Sequence, residues 1–303
     1  MQKFTILGLL GPAGSGKDLV ADFFIKKGFA KVAYADPMKR FVQKLFGFTE
    51  AQLWGPSKER NKTVDIDDAW WFGAIGKMPI AVDELINKVM KEGVRTDGYM
   101  KLMDWFSWLR RVHPAQVSAR VVLQTLGTEW GRTVDPLMWI HYGHLVVAEL
   151  ERGGHSYTRE EGLHFHGWED GIDVRHPITG AIIQDHRFIN EVETTQKRGG
   201  YVIRLCRLAQ EEKTVGIAGH QSEAEQKGMP DETFDLILEV EDFATEEKNG
   251  ETVLTAQARE DFERSLEALY KEGLWTARQR GIKGARYRIS PTVAGRGGAL
   301  PSL

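Results

Sequence analysis

Only one cysteine, Cys206, occurs in the 303 residues. A lone thiol excludes an intrachain disulfide framework and a multi-cysteine zinc site, and it fits a reducing cytoplasm. No run of about eighteen apolar residues occurs, so no membrane-spanning helix is expected. Neither sign of charge prevails. The 40 Lys and Arg stand against 43 Asp and Glu, a formal net charge of −3, which argues against a surface built throughout to hold nucleic acid. There is no internal repeat, no N-K-x-D guanine motif, and no apolar run ending in Asp-Glu of the kind helicase-like ATPases carry. What remains is an ordinary globular composition, 42% hydrophobic and 27% charged, on a chain long enough for one large core or two smaller ones.

The first ten residues have some look of a signal peptide. They are too short for one, and glycine-rich sequence follows at once. Phe4 to Leu10 instead reads as a buried parallel strand, apolar on both faces. A helix follows over Asp18 to Lys27, stopped by Gly28. Further strands are expected at Lys31–Tyr34, Gly180–Gln184, Tyr201–Arg207 and Phe234–Val240. Further helices are expected at Pro37–Phe46, Pro79–Glu92, Ala119–Leu126, Pro136–Leu150, Glu191–Arg198 and Ala258–Glu272. Strands alternating with helices predict an α/β fold. The expected architecture is a three-layer sandwich with a mostly parallel central sheet and helical insertions, the body spanning 1–275. Insertions are expected near 60–115 and 151–177. The segment 276–303 carries six Lys or Arg and no acid, and reads as a mobile basic arm.

The strongest chemical signal is Gly11-Pro12-Ala13-Gly14-Ser15-Gly16-Lys17-Asp18. It has the G-x-x-x-x-G-K form of a phosphate-binding loop, between a predicted strand and a predicted helix, which is the context such a motif requires. Glycines let the backbone curl around a phosphate chain, the helix N-terminus adds positive potential, and Lys17 supplies a point charge. Asp18 stands where Ser or Thr usually ligates magnesium. A carboxylate there could hold Mg²⁺ directly or through water, or could simply favour the helix dipole.

The other motifs put cations at predicted strand ends, where ligands bind in such sheets. Lys39 follows the second strand in Ala35-Asp36-Pro37-Met38-Lys39. Arg120 precedes the Leu126-Gly127-Thr128-Glu129 turn. Asp185 and Arg187 follow the fourth strand, and Arg204 and Arg207 lie on the next. Any one of them alone could be a surface ion pair. His155, His164, His166 and His176 lack the framework of a zinc site and read as polar surface. Trp54, Trp70, Trp71, Trp105 and Trp108 read as core or dimer surface. Cys206 reads as a small buried hydrophobe.

Taken together these pieces resemble the deoxynucleoside monophosphate kinases of tailed phages, within the P-loop nucleoside monophosphate kinases. The resemblance is carried by Leu10 to Asp18, by Ala35 to Lys39, and by Leu123 to Glu129 with Trp139 downstream. It continues in Gln184 to Glu191 and ends at His220-Gln221-Ser222-Glu223. It implies ATP- and Mg²⁺-dependent phosphorylation of a deoxynucleoside monophosphate by a homodimer in the host cytoplasm. By position, Gly14, Ser15, Gly16, Lys17, Asp18 and Leu19 would bind ATP, with Asp18 toward the metal. Lys39, Arg120, Gly127, Thr128, Trp139, Asp185, Arg187 and Glu191 would form the monophosphate side, Trp139 either stacking on the base or buried in the core. Lys17, Asp185, Arg187 and Arg207 would act on the transferring group. Some members carry a basic residue in the loop where Ala13 and Gly14 stand here. Two alternatives stay open: a P-loop kinase of the dephospho-coenzyme A or phosphomevalonate type, or a nucleotide-dependent DNA-binding accessory protein using the basic arm.

Overall fold

The computed structural model describes residues 4–12, 14–86, 95–152, 178–207, 225–226, 228–248, 251–272 and 283–291. The chain forms two units, one from Met1–Val32 with Val147–Leu303, the other from Ala33–Val146. No helix among the described residues is long and apolar enough to cross a membrane.

The first unit is built on six parallel strands: β1 (Thr5–Leu10), β2 (Phe29–Val32), β5 (Gly180–His186), β6 (Tyr201–Arg207), β7 (Leu236–Val240) and β10 (Ala285–Ile289). Their order in the sheet is β2-β5-β1-β6-β7-β10. Side chains alternate faces along each strand. On one face Leu7, Leu9, Ile203, Leu205 and Leu238 pack against Val20 and Phe24 of α1 (Lys17–Lys26) and Phe262 and Leu266 of α10 (Ala256–Glu272). On the other, Leu10 and Val202 meet Val192 of α9 (Ile189–Lys197), with Phe234. Helices on both faces of a parallel sheet make the expected P-loop kinase architecture. An exposed antiparallel hairpin, β8 (Thr245–Lys248) with β9 (Glu251–Leu254), precedes α10.

Strand order also locates the ligand-binding end. The connection leaving β1 goes toward the β2 side and that leaving β6 toward the β7 side. Ligand crevices open beyond the carboxyl ends of strands where the chain diverges in this way. Gly11 follows β1 at this end.

The second unit is mainly helical. It holds α2 (Asp36–Phe46), α3 (Glu50–Trp54), α4 (Ser57–Asn61), α5 (Asp68–Ala81), α6 (Arg95–Val112), α7 (Ala119–Thr125) and most of α8 (Met138–Glu151), with a short hairpin of β3 (Thr63–Asp65) and β4 (Gln116–Ser118). Its core is aromatic. Phe46 stacks on Trp70 at 4.6 Å and meets Trp71 and Phe106; of the tryptophan group Trp71 and Trp105 are buried in this core, while Trp54, Trp70 and Trp108 are half-buried.

Two expectations are corrected. The helix expected over Pro79–Glu92 is instead α5, which starts at Asp68 with the Asp67 carboxylate accepting from the Trp70 amide at 2.8 Å, encloses Pro79, and passes into a π-helical turn, Val82–Ile86. Residues 87–94 lie outside the described residues. The arm expected over 276–303 contains β10, a sheet strand. Tyr287 and Ile289 turn into the core. Arg286 on the other face pairs with Glu239 and Asp231, and Arg288 with Glu239 and Glu241. These arginines therefore have acidic partners within the unit and are not part of a solvated arm, and the alternative of a DNA contact through the arm loses two of its six cations. Arg278, Arg280 and Arg296 lie outside the described residues, as do all four histidines of the 151–177 segment.

A candidate phosphate-binding loop and its surroundings

The loop closes against β6. A Cβ on Gly11 would stand 2.6 Å from the Leu205 carbonyl oxygen and 2.7 Å from Ser15 Oγ, so only glycine lets the backbone pass. Gly14 (φ +77°) and Gly16 (φ +95°) take left-handed conformations that suit glycine. Gly16 caps α1, leaving first-turn amides directed at the loop interior. Ala13 lies outside the described residues. Gly11→Ala is expected to cost about 2 kcal/mol by forcing two backbones apart, read as a lower urea midpoint together with weakened nucleotide binding.

Lys17 fills the loop's mouth. Its Nζ donates to the Gly11 and Pro12 carbonyls at 2.6 Å each and approaches Ser15 Oγ at 3.5 Å. Burial and, after it, the nearby Arg187 guanidinium lower its pKa from 10.5 to about 8, against the opposing pull of Asp18 and Asp185. Desolvation is the larger part of that shift, and a bound anion would offset it. Ser15 is buried. Leu19 packs on the sheet core, so only its backbone is offered to a nucleotide. Asp18 is solvent-exposed, 4.0 Å from Lys31 of β2.

β5 delivers the next residues. Its register with β1 shifts between Gly8↔Ile183 and Leu10↔His186, so an extra residue bulges at Gln184-Asp185. Bulges re-aim side chains beside functional sites. Here Asp185 and Arg187 both come within electrostatic reach of Lys17. Between them His186 is fully buried over Gly8, where a Cβ would meet the ring at 2.6 Å. Its Nδ1 lies 3.3 Å from the Ile183 carbonyl and its Nε2 2.8 Å from Thr195 Oγ1. The neutral ring needs one acceptor and one donor partner, and the Ile183 and Glu191 backbone with the Thr195 hydroxyl supply both.

Glu191, expected on the monophosphate side, is buried. Its carboxylate accepts from the Arg187 amide at 2.6 Å and the Phe188 amide at 3.1 Å. It caps α9 and holds the backbone that carries Arg187. Arg207, at the end of β6, donates to the Gly14 carbonyl at 3.5 Å and to Asp242 at 3.3 Å, which puts it on the loop. Arg204 turns elsewhere, to the Met229 carbonyl at 2.9 Å and over the Phe234 ring. Its work is structural. The first unit thus gathers Lys17, Asp185, Arg187 and Arg207 around one loop. Cys206 is half-buried, and burial raises its pKa.

Lys39, Arg120, Gly127, Thr128 and Trp139 belong to the second unit. Lys39 lies 3.8 Å from Asp36 and over the Trp54 ring at 5.5 Å, while Trp54 Nε1 donates to Asp36 at 3.3 Å. The ammonium is thereby held between a carboxylate and an indole face. Burial, helped by the Asp36 carboxylate, pushes the Tyr142 hydroxyl up to about 12. Gly127 is the second residue of a π-helical turn, Leu126–Arg132, and packs on Met38, whose Sδ a Cβ would meet at 2.9 Å. Thr128 sits half-buried in the same turn, its carbonyl accepting from Thr133 at 3.5 Å. Trp139 is buried, its Nε1 donating to the Gly127 carbonyl at 3.1 Å and its ring lying against Gly131. It braces the Gly127 turn and has no face open to a base.

Sequence reasoning passed over Ser57, Arg60 and Asp242, and read Trp54 only as core or dimer surface. Thr49 and Gln52 form a capping box ahead of Trp54, and that T-x-x-Q spacing was a readable sign that a helix starts here. Among the described residues no group of three or more His, Cys, Asp and Glu could hold a metal ion. No family model matches the chain. It is similar to a protein of Acanthamoeba polyphaga mimivirus named "Putative deoxynucleotide monophosphate kinase", with 23% identity over 238 residues, 77% of this chain and 87% of that protein.

Proposed function

We propose that this protein is a nucleotide kinase that transfers a phosphoryl group from ATP to a deoxynucleoside monophosphate. The observation that carries this reading is Lys17: a half-buried ammonium at a helix N-terminus, crowded by Arg187 and ringed by left-handed glycines. The similarity to the mimivirus protein supports the choice of acceptor.

The donor set fits a polyphosphate. The first-turn amides of α1, Ser15 and Lys17 would hold the ATP phosphates. Asp18, exposed at the first turn, would hold Mg²⁺ directly or through water. A single carboxylate suits an ion that keeps its own waters and takes further oxygens from phosphate. When bound, ATP supplies the phosphoryl group, and Mg²⁺ neutralises its oxygens. The chain's own share is positioning and charge. Lys17 leaves the loop carbonyls to pair with donor phosphate, and Arg187 and Arg207 neutralise charge developing on the transferring group. Asp185, opposite in sign, keeps these cations oriented. Glu191 fixes the backbone at Arg187. Lys39 and Arg120 take the acceptor's phosphate, and Gly127 and Thr128 shape its pocket wall.

The test is ADP release from Mg·ATP with each of the four deoxynucleoside monophosphates in turn. Turnover with at least one is expected. Turnover only with dephospho-coenzyme A or phosphomevalonate, or none with retention on DNA at about 150 mM salt, overturns the reading. The homodimer belongs to the same reading, with sedimentation at twice the monomer mass as its check.

A further inference from the structure

In the second unit α3 packs on α2, and its short frame delivers one ring. A capping box starts it: the Thr49 hydroxyl accepts from the Gln52 amide at 3.3 Å, and the Gln52 side chain accepts from the Thr49 amide at 2.9 Å. Leu53 is fully buried. At the far end the Gly55 amide donates to the Ala51 carbonyl at 3.0 Å, and a Cβ on Gly55 would collide with that carbonyl. A helix closed at both ends in this way leaves the Trp54 backbone little freedom. The Trp54 Nε1 donates to Asp36 Oδ1 at 3.3 Å, and the Lys39 ammonium lies over the indole ring at 5.5 Å. That ammonium stands 3.8 Å from the same Oδ1, too far for a hydrogen bond. Asp36 is buried, and a buried carboxylate is costly unless paired. The indole N–H and the ammonium therefore share one oxygen, while the indole face constrains the ammonium from a second side. A lysine is otherwise a point charge on a flexible four-carbon stem. A stem ordered in the free protein does not have to be ordered by the ligand.

We propose that Trp54 is a positioning residue for the acceptor: its indole, tied to Asp36, fixes where the Lys39 ammonium stands and so sets the affinity for the monophosphate. This rests on the reading above, which gives Lys39 to the acceptor's phosphate. Trp54 acts on the substrate through Lys39 and needs no contact of its own with it. The ring face attracts the cation without saturating any of its N–H groups, so Lys39 can donate to an arriving phosphate and stay where the indole holds it.

The experiment uses the full chain with Trp54→Leu and Trp54→Phe, each made alone and in a Lys39→Met background. It reads KM for the preferred deoxynucleoside monophosphate at saturating ATP, KM for ATP, and calorimetric binding of that monophosphate without ATP. Trp54→Leu is expected to raise the monophosphate KM about tenfold, with ATP KM unchanged. Trp54→Phe keeps a ring face and loses the N–H, so about threefold is expected. In the Lys39→Met background either change should add less than about twofold, because the group being positioned is gone. A Trp54 effect of the same size with and without Lys39, or no effect on monophosphate KM at all, overturns the proposal while the kinase reading stands. An unaltered protein that turns over no deoxynucleoside monophosphate, yet binds one with Trp54 and Lys39 coupled in this way, overturns the activity and keeps the positioning role. Binding of none of the four overturns both. If Trp54→Leu melts early, the Trp54→Phe pair, which preserves an aromatic ring at the site, decides.

Discussion

Replacing Lys17 by Met is expected to lower kcat/KM about 1,000-fold, a loss of about 4 kcal/mol of transition-state stabilisation, without loss of thermal stability. The two halves of this result have one cause. The Lys17 ammonium is half-buried beside Arg187, and its pKa is lowered to about 8. Its folded-state pKa lies below its unfolded value of 10.5, so the unfolded chain binds that proton more strongly and the charge opposes folding below pH 8. Met removes the opposing charge together with the bonds to the Gly11 and Pro12 carbonyls, so the melting temperature should hold or rise. A stored cost of this kind marks a group kept for binding. Nucleotide affinity of the unaltered protein should also weaken as pH rises through about 8 and the ammonium empties. Parallel loss of activity and melting temperature in Lys17→Met would make Lys17 a structural residue.

Acidification from pH 7.5 to pH 5 is expected to remove about 2 kcal/mol of folding stability through His186 alone. Burial lowers its pKa from 6.5 to about 4, outweighing backbone hydrogen bonds that raise it. A histidine with a depressed folded pKa contributes stability that is complete above its unfolded pKa. That contribution falls away as pH drops from about 6.5 toward 4, and its full size is about 3 kcal/mol. Urea midpoints at the two pH values measure it. His186→Gln, which cannot take up the proton, should flatten the slope even if it starts less stable. Activity should fall in the same window. His186 lies between Asp185 and Arg187, so a proton forced into its pocket displaces both. A slope unchanged in His186→Gln assigns the acid sensitivity to other groups.

The loop was legible because its signal is local: glycines, a lysine and the flanking strand and helix lie within fourteen residues of one another, Phe4 to Lys17. The parallel sheet was legible for a similar reason, since strands buried on both faces announce themselves as short apolar runs such as Leu236 to Val240. What stayed hidden depends on distant partners. Arg286 and Arg288 read as solvated arm because Glu239, Asp231 and Glu241, which pair with them, are remote in sequence. Trp139 read equally as a base-stacking or a core residue, and only the close approach of Gly131 and the Gly127 carbonyl turns the ring into a brace. Glu191 was seen as a substrate contact, whereas three-residue spacing from Phe188 also spells a helix cap. Ser57 and Arg60 sit on a five-residue helix, too short for periodicity to register.

β1 has no hydrogen-bonded neighbour nearby in sequence. Thr5 pairs with Gly180 on one side and Leu7 with Tyr201 on the other. During synthesis the first strand must therefore wait, unpaired and apolar, while Ala33–Val146, a contiguous stretch, emerges and completes its own contacts. Closing so long a loop makes the sheet a late and slow event. The phosphate loop exists only once β6 arrives to support Gly11. A nascent chain halted before Leu205 therefore carries the full motif and binds no nucleotide.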